Sequence, residues 1–196
     1  MTNPTLDEIE RTLKDAGGEN RPPAPAYTPA AVALILRRDA SGVSVLFIER
    51  SPHDGDPWSG DLGFPGGKVE AGDAGPRNAA ERETREELGV DLASARLLGR
   101  LADIEGAHLP IRVSCFVYGV TGALSLHPGG EVRDAFWVSL EALRDPARHV
   151  TAPVRFGGER FERPAIILPV PGKPVLWGIT YRLVMQFLAL LGKARG

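Results

Sequence analysis

Apolar residues occur in short runs that are separated by turn-forming residues along most of the chain. Residues 30–36 (AAVALIL) and 43–49 (VSVLFIE) flank such a turn, and this arrangement predicts two strands joined as a hairpin. Residues 96–104, 111–120 and 134–138 have a similar composition and predict three further strands. Because helical patterns lie between these strands, the chain is predicted to combine a sheet with helices.

The N-terminal residues show helical spacing instead. Leu6, Ile9 and Leu13 fall on one side of a predicted short helix, and an extended proline-rich segment follows it. We therefore divide the chain into residues 1–26, which form the N-terminal helix and linker, and residues 27–196, which form the main domain. The first unit is expected to be an appendage of the main fold, either a dimer or lid element or a loosely packed arm.

The apolar stretch at residues 175–191 (VLWGITYRLVMQFLALL) is interrupted by a glycine, an arginine and a glutamine. It is too short and too polar to span a bilayer comfortably. Leu183 and Phe187 share one face of a helical projection, which predicts a packed C-terminal helix.

The stretch from residue 63 to residue 90 joins a glycine loop at 66–67 to a charged helix. Pro76 suits the first position of a helix, and Gly89 suits the left-handed residue that ends one. These two signals predict a helix over residues 76–88.

Three carboxylates lie on one side of this predicted helix. Glu83, Glu86 and Glu87 have i, i+3 and i+4 spacing, and Arg82 can reach Glu86 one turn later. Like charges this close repel, whereas carboxylate and carbonyl oxygens are the ligands that hard divalent cations prefer. The alternative is a surface helix of alternating charge with no ligand.

Composition narrows the remaining classes of function. The chain has 196 residues, of which 43% are hydrophobic, so a single domain can bury a substantial core. A net charge of −2 gives no general basic field for nucleic acid. Cys115 is the only cysteine, which excludes an intrachain disulfide, and the N-terminus lacks a basic-then-apolar signal segment. A cytoplasmic location with no membrane partner is therefore expected.

The glycine loop and charged helix together resemble the signature of the Nudix hydrolases. The matching residues are Gly67, Arg82, Glu83, Glu86, Glu87 and Gly89. Asp73 stands where the signature has a first Glu, the spacer after it has eight residues instead of seven, and Thr84 replaces a larger aliphatic residue. The longer spacer with Asp, together with the Phe-Pro-Gly-Gly entry at 64–67, is similar to the branch that cleaves coenzyme A. Gly60 also matches that branch, whereas Asp56 occupies the position of an Arg.

The resemblance implies a fold and an activity. The expected fold is α+β, an α/β/α sandwich with a mixed β-sheet between helices, an N-terminal helical arm and a C-terminal helix. The expected activity is hydrolysis of a diphosphate linkage in a nucleoside diphosphate derivative, dependent on Mg²⁺ or Mn²⁺, with coenzyme A or its thioesters as leading substrates. ADP-ribose, dinucleotide polyphosphates and nucleoside triphosphates are the alternatives. A homodimer is left open.

The same resemblance implies roles for individual residues. The expected metal ligands are Glu83, Glu86, Glu87 and the carbonyl of Gly66. Arg82 would orient the carboxylates, and the base that deprotonates water would be Glu83, Glu86 or Glu131. The expected substrate contacts are Arg50, Gly67, Lys68 and Trp58.

Two of these residues could instead have no role in function, and the whole chain allows two other interpretations. Glu131 could be a solvated loop residue, and Trp58 could pack locally instead of stacking on a base. The chain could also be a Nudix-fold module that senses a nucleotide without cleaving it. A third interpretation is an unrelated α+β domain whose acidic helix binds no divalent cation.

Overall fold

A computed structural model describes residues 3–17, 26–53, 58–107 and 109–194. The proline-rich linker predicted over residues 21–25 lies outside these residues. The strands are β1 (Thr28–Asp39), β2 (Gly42–Arg50), β3 (Leu62–Gly63), β4 (Gly66–Lys68), β5 (Arg96–Arg100), β6 (Ile104–Glu105), β7 (Ile111–Val120), β8 (Val132–Ser139), β9 (His149–Phe156) and β10 (Glu159–Ile166). The α-helices are α1 (Leu6–Ala16), α2 (Pro76–Leu88), α3 (Leu140–Arg144) and α4 (Gly178–Lys193), and short 3₁₀ turns cover Leu92–Ser94 and Pro146–Arg148.

Strand β1 is the centre of a mixed sheet. It pairs antiparallel with β2 and β4, and it pairs parallel with β7 from Thr28 opposite Ile111 to Arg37 opposite Val120. The sheet runs in the order β3-β2-β1-β7-β5, with β8 beside β2 and β6 beside β7. Strands β9 and β10 form a separate antiparallel ribbon.

Helices cover both faces of the sheet, which explains why the sequences of β1 and β2 are nearly continuous apolar runs. Alternate residues of β1 enter different cores, because successive side chains of a strand point to opposite faces. Leu34 packs with Phe187 of α4 on one face, and Ile35 packs with Ala79 and Leu88 of α2 on the other. The chain therefore forms the expected α/β/α sandwich.

Helix α1 is a packed part of this sandwich. A capping box begins it at Thr5, and Ile9 and Leu13 are fully buried in the core that α4 also joins. Gly99 of β5 lies so close to α1 that a Cβ on Gly99 would be 2.8 Å from Leu13 Cβ. The division of the chain at residue 26 stays a prediction.

The predicted strand over residues 96–104 is interrupted. The register against β7 shifts between Leu97 and Gly99, and Gly99 has a φ of +152° that other residues rarely adopt. Residues 101–103 belong to neither strand, although the Leu101 N–H still donates to the Cys115 carbonyl of β7 over 3.0 Å, and pairing resumes in β6. Among the described residues, no helix has the length and apolar character needed to cross a membrane.

Candidate active site

The residues predicted to act lie around one cavity of about 850 Å³. The end of β2, the glycine loop, α2, the segment before β8, the ribbon and the start of α4 all contribute to its walls. The predicted residues that line it are Arg50, Trp58, Gly66, Gly67, Lys68, Arg82, Glu83, Glu86, Glu87 and Glu131. The structure thus brings all of them together, and their individual roles stay predictions.

The glycine loop lets β4 approach both β1 and α2. A Cβ on Gly66 would lie 2.2 Å from the carbonyl oxygen of Ala31, and its φ of +150° also favours glycine. A Cβ on Gly67 would lie 2.5 Å from Glu83 Oε1. The absence of side chains at these positions therefore allows the acids of α2 to lie directly against the backbone of β4.

Helix α2 begins and ends at the predicted residues, because the proline and the glycine at its two ends adopt the conformations expected of them. Pro76 is its first residue, and Gly89 is left-handed, with its N–H donating to the Arg85 carbonyl over 2.9 Å. Thr84, which replaces an aliphatic residue of the signature, is fully buried and donates its hydroxyl to the Ala80 carbonyl over 2.7 Å. This hydrogen bond satisfies the hydroxyl, so the substitution leaves the buried face of α2 intact.

Arg82 donates hydrogen bonds to four residues beside the cavity. Its Nε and Nη2 donate to the two carboxylate oxygens of Asp73 over 3.0 and 3.1 Å, and its Nη1 donates to Glu83 over 2.9 Å and to Glu86 over 3.1 Å. The carbonyl of Lys68 accepts from Nη2 over 3.2 Å. These hydrogen bonds hold the pKa of Asp73 below its usual range. Asp73, to which the sequence assigned no role, thus holds the arginine that donates to Glu83 and Glu86.

Glu87 is the most buried carboxylate of the cluster, with 4% exposure. Its Oε2 accepts from the Gly66 N–H over 2.9 Å, and its Oε1 lies 3.7 Å from Arg50 Nη1. Burial nevertheless raises the pKa of Glu87 to about 7, and the charges of Glu83 and Glu131 add to this rise.

Glu83 and Glu131 belong to the same electrostatic cluster. Burial is the largest cause that raises the pKa of Glu83, and the charges of Glu86 and Glu131 act in the same direction against the hydrogen bond from Arg82. Glu131 is exposed at its own position but close enough to contribute to the pKa values of both Glu83 and Glu87. It therefore faces the acids of α2.

The donor set has the chemistry of a site for a hard divalent cation. Several carboxylates share one cavity, and desolvation and mutual repulsion destabilise their ionised forms, which a cation would relieve. Within the part of the chain that the structure describes, however, no three His, Cys, Asp or Glu side chains already surround a common point. Their oxygens instead contact Arg82, Arg50 and the N–H of Gly66.

The sequence did not identify several other residues that line the cavity. Phe156 of the ribbon lies 6.2 Å from Trp58 and 6.3 Å from Trp177 between ring centroids. The indole N–H of Trp177 donates to Asp61 Oδ1 over 2.9 Å. These contacts join residues far apart in the chain, so local spacing carries no signal for them.

Comparison with known proteins gives a family and a fold. The NUDIX domain matches residues 26–156. A probable nudix hydrolase of Schizosaccharomyces pombe is 27% identical over 163 residues, covering 81% of this chain and 54% of that protein. The 8-oxo-dGTP diphosphatase of Haemophilus influenzae is 35% identical over 91 residues, covering 46% of this chain and 63% of that enzyme. The matches therefore span less than two thirds of the length of these relatives.

A solved structure supports the same architecture. The crystal structure of a MutT/nudix family protein from Enterococcus faecalis superposes with a TM-score of 0.54 at 18% identity, covering 95% of this chain and 73% of that chain. At this level of identity the likeness concerns the fold alone.

Proposed function

Because this chain belongs to the Nudix family, we propose that it hydrolyses a diphosphate linkage in a nucleoside diphosphate derivative and depends on a divalent metal ion. One observation carries the proposal. Four glutamates line a single cavity beside a bare glycine backbone, and burial raises the pKa values of two of them. This arrangement is costly in the absence of a cation and favourable in its presence.

Glu83, Glu86 and Glu87, with the carbonyl of Gly66, are the residues that would hold the metal. Bound there, Mg²⁺ or Mn²⁺ would neutralise phosphate charge and lower the pKa of a water molecule. Arg82 positions Glu83 and Glu86 through its hydrogen bonds. These contacts fix the carboxylates relative to the glycine loop before a ligand arrives.

The base that takes the proton of the attacking water is Glu83, Glu86 or Glu131. Glu131 lines the cavity from the segment before β8, whereas the two glutamates that accept hydrogen bonds from Arg82 are Glu83 and Glu86. Arg50 and Lys68 also line the cavity, supply positive charge to it and are the residues that would contact the phosphates. Attack of water at phosphorus breaks the phosphoanhydride and gives two products that each carry a phosphate.

The leading substrate is coenzyme A or one of its thioesters. Its support is the resemblance of the entry to the glycine loop and of the Asp73 spacer to that branch. ADP-ribose, dinucleotide polyphosphates and nucleoside triphosphates follow as alternatives. The single buried cysteine suits a protein of the reducing cytoplasm.

A second candidate is a non-catalytic module that senses a nucleotide. It is favoured by the hydrogen bonds through which Arg82 engages the carboxylates of Glu83 and Glu86. In this case Arg82 would keep Glu83 and Glu86 engaged, and a nucleotide would bind without being cleaved.

A hydrolysis panel with Mg²⁺ and Mn²⁺ distinguishes the two candidates. The substrates are coenzyme A, ADP-ribose, diadenosine polyphosphates and nucleoside triphosphates, and release of 3′,5′-ADP identifies cleavage of coenzyme A. Glu86→Gln should lower turnover by at least about 100-fold. Glu141→Gln, which removes an exposed glutamate of α3 outside the cavity, is the control and should retain full activity. Inertness of the wild type toward the whole panel would favour the sensing module, and full turnover by Glu86→Gln would refute the role of that residue.

A further inference from the structure

The cavity has an aromatic region as well as an acidic one. Trp58, Phe156 and Trp177 come from the turn before β3, from β9 and from the residue before α4. All three are half-buried, and all three line the cavity. We call them the aromatic wall.

The rings of the aromatic wall meet at steep angles. The interplanar angle is 60° between Trp58 and Phe156 and 79° between Phe156 and Trp177. Tilted and edge-to-face pairs are favoured aromatic arrangements, and these two contacts hold the three rings side by side along the cavity. Mutual packing alone would also explain the contacts, but it does not require all three rings to border the cavity that holds the acids.

Asp61 fixes the aromatic wall in place. Its carboxylate accepts from the indole N–H of Trp177 over 2.9 Å, and its backbone N–H donates to the Trp58 carbonyl over 3.0 Å. Its own carbonyl accepts from the N–H of Arg50 over 3.0 Å, and the Arg50 side chain reaches towards Glu87. One residue therefore ties both tryptophans to the strand end that supports the acidic region.

We propose that the aromatic wall stacks on the heteroaromatic ring of the substrate and that Asp61 is the positioning residue of this ring subsite. The inference rests on the proposed function, because it takes the acids and the wall to contact two parts of one nucleotide. Flat, rigid side chains suit a flat ring, since base–aromatic stacking tolerates different bases and needs no hydrogen-bond readout. The preference therefore concerns aromatic rings as a class.

Binding of two ligands tests the subsite without any need for turnover. AMP and ribose 5-phosphate share a sugar and a phosphate and differ in the adenine ring. Calorimetric titration of the full chain should show AMP binding at least about fivefold more tightly than ribose 5-phosphate. Trp58→Leu, Phe156→Leu and Trp177→Leu should each reduce this preference while leaving the affinity for ribose 5-phosphate unchanged.

Two controls separate stacking from a general loss of structure. Trp137→Leu removes a tryptophan of β8 that packs under Arg37 away from the cavity, and it should keep the preference for AMP. Asp61→Ala should weaken AMP binding, whereas Asp61→Asn should restore it, because the amide oxygen still accepts from the indole N–H. Melting temperatures identify any variant that fails to fold.

The outcomes distinguish this inference from the proposed function. Equal affinities for the two ligands, no measurable AMP binding, or a preference that survives all three wall substitutions would overturn the ring subsite. A protein that hydrolyses nothing but prefers AMP through these residues would retain the subsite and refute the hydrolase.

Discussion

Glu87 offers the most direct test of the idea that this site stores unfavourable charge until a cation binds. The carboxylate is 4% exposed, and its pKa is raised to about 7, with burial as the first cause. Glu87→Gln removes the charge but keeps an oxygen that can accept from the Gly66 N–H. We expect this variant to be more stable than the wild type at neutral and alkaline pH when chelator removes divalent metal.

The magnitude follows from the two pKa values. A difference between 4.5 in the unfolded chain and about 7 in the folded protein corresponds to about 3 kcal/mol. Because the folded-state pKa of Glu87 is raised, the protonated carboxyl is the form that the folded protein favours. The stability that it contributes is fully present below pH 4.5 and is lost as the pH rises through about 7. The advantage of the variant should therefore grow from near zero at pH 4.5 to a ceiling of about 3 kcal/mol at pH 8.

Urea denaturation at a series of pH values, in the presence of EDTA, measures this difference. Glu86→Gln is the matched control, because it removes the same charge one position earlier from a side chain that is 56% exposed. Its effect should stay within about 1 kcal/mol at every pH. A Glu87→Gln variant that is less stable than the wild type at pH 8, or whose advantage does not change with pH, would refute the reasoning.

Three further predictions concern residues packed in or against the mixed sheet. Gly66→Ala should lower the free energy of unfolding in urea denaturation by at least about 2 kcal/mol, because the new Cβ would meet the backbone of β1. Gly72→Ala is the control, and its free energy of unfolding should change little, because a Cβ there has nothing within 4 Å. Cys115, which is fully buried and whose pKa burial raises to about 12, should react with iodoacetamide only after denaturation, and mass spectrometry of native protein that shows rapid alkylation would contradict this. Lys173→Met should lower the free energy of unfolding, measured by urea denaturation, by about 2 kcal/mol, because it removes the ammonium that lies 2.7 Å from the buried carboxylate of Glu49. Arg133 still pairs with Glu49 in this variant, which limits the loss. An unchanged midpoint of denaturation would show that the contact is not stabilising.

Features that depend on local chemistry were predictable from the sequence. The limits of α2 agree with the prediction because Pro76 and Gly89 act within one turn of the helix ends. The hairpin of β1 and β2 and the C-terminal helix follow from residue spacing in the same way. The acids of α2 share a cavity because their spacing already places them on one side of the helix.

Features that depend on contacts across the fold were not predictable. The register shift within β5 and the break between β5 and β6 both concern pairing with β7, which no local pattern shows. Asp61 and Trp177 meet only because the turn before β3 and the start of α4 border the same cavity. The bidentate contact between Asp73 and Arg82 likewise requires the loop to fold back on α2.

The parallel pairing of β1 with β7 has a consequence for synthesis of the protein. Thr28 meets Ile111 and Arg37 meets Val120, so the whole motif helix lies between the two partners in the chain. While the ribosome is still producing that helix, the early hairpin has no parallel neighbour, and its apolar surface is open to aggregation. Folding should therefore be slow for a chain of this length, and a nascent polypeptide stalled before residue 111 should be degraded by a protease that the released full-length chain resists.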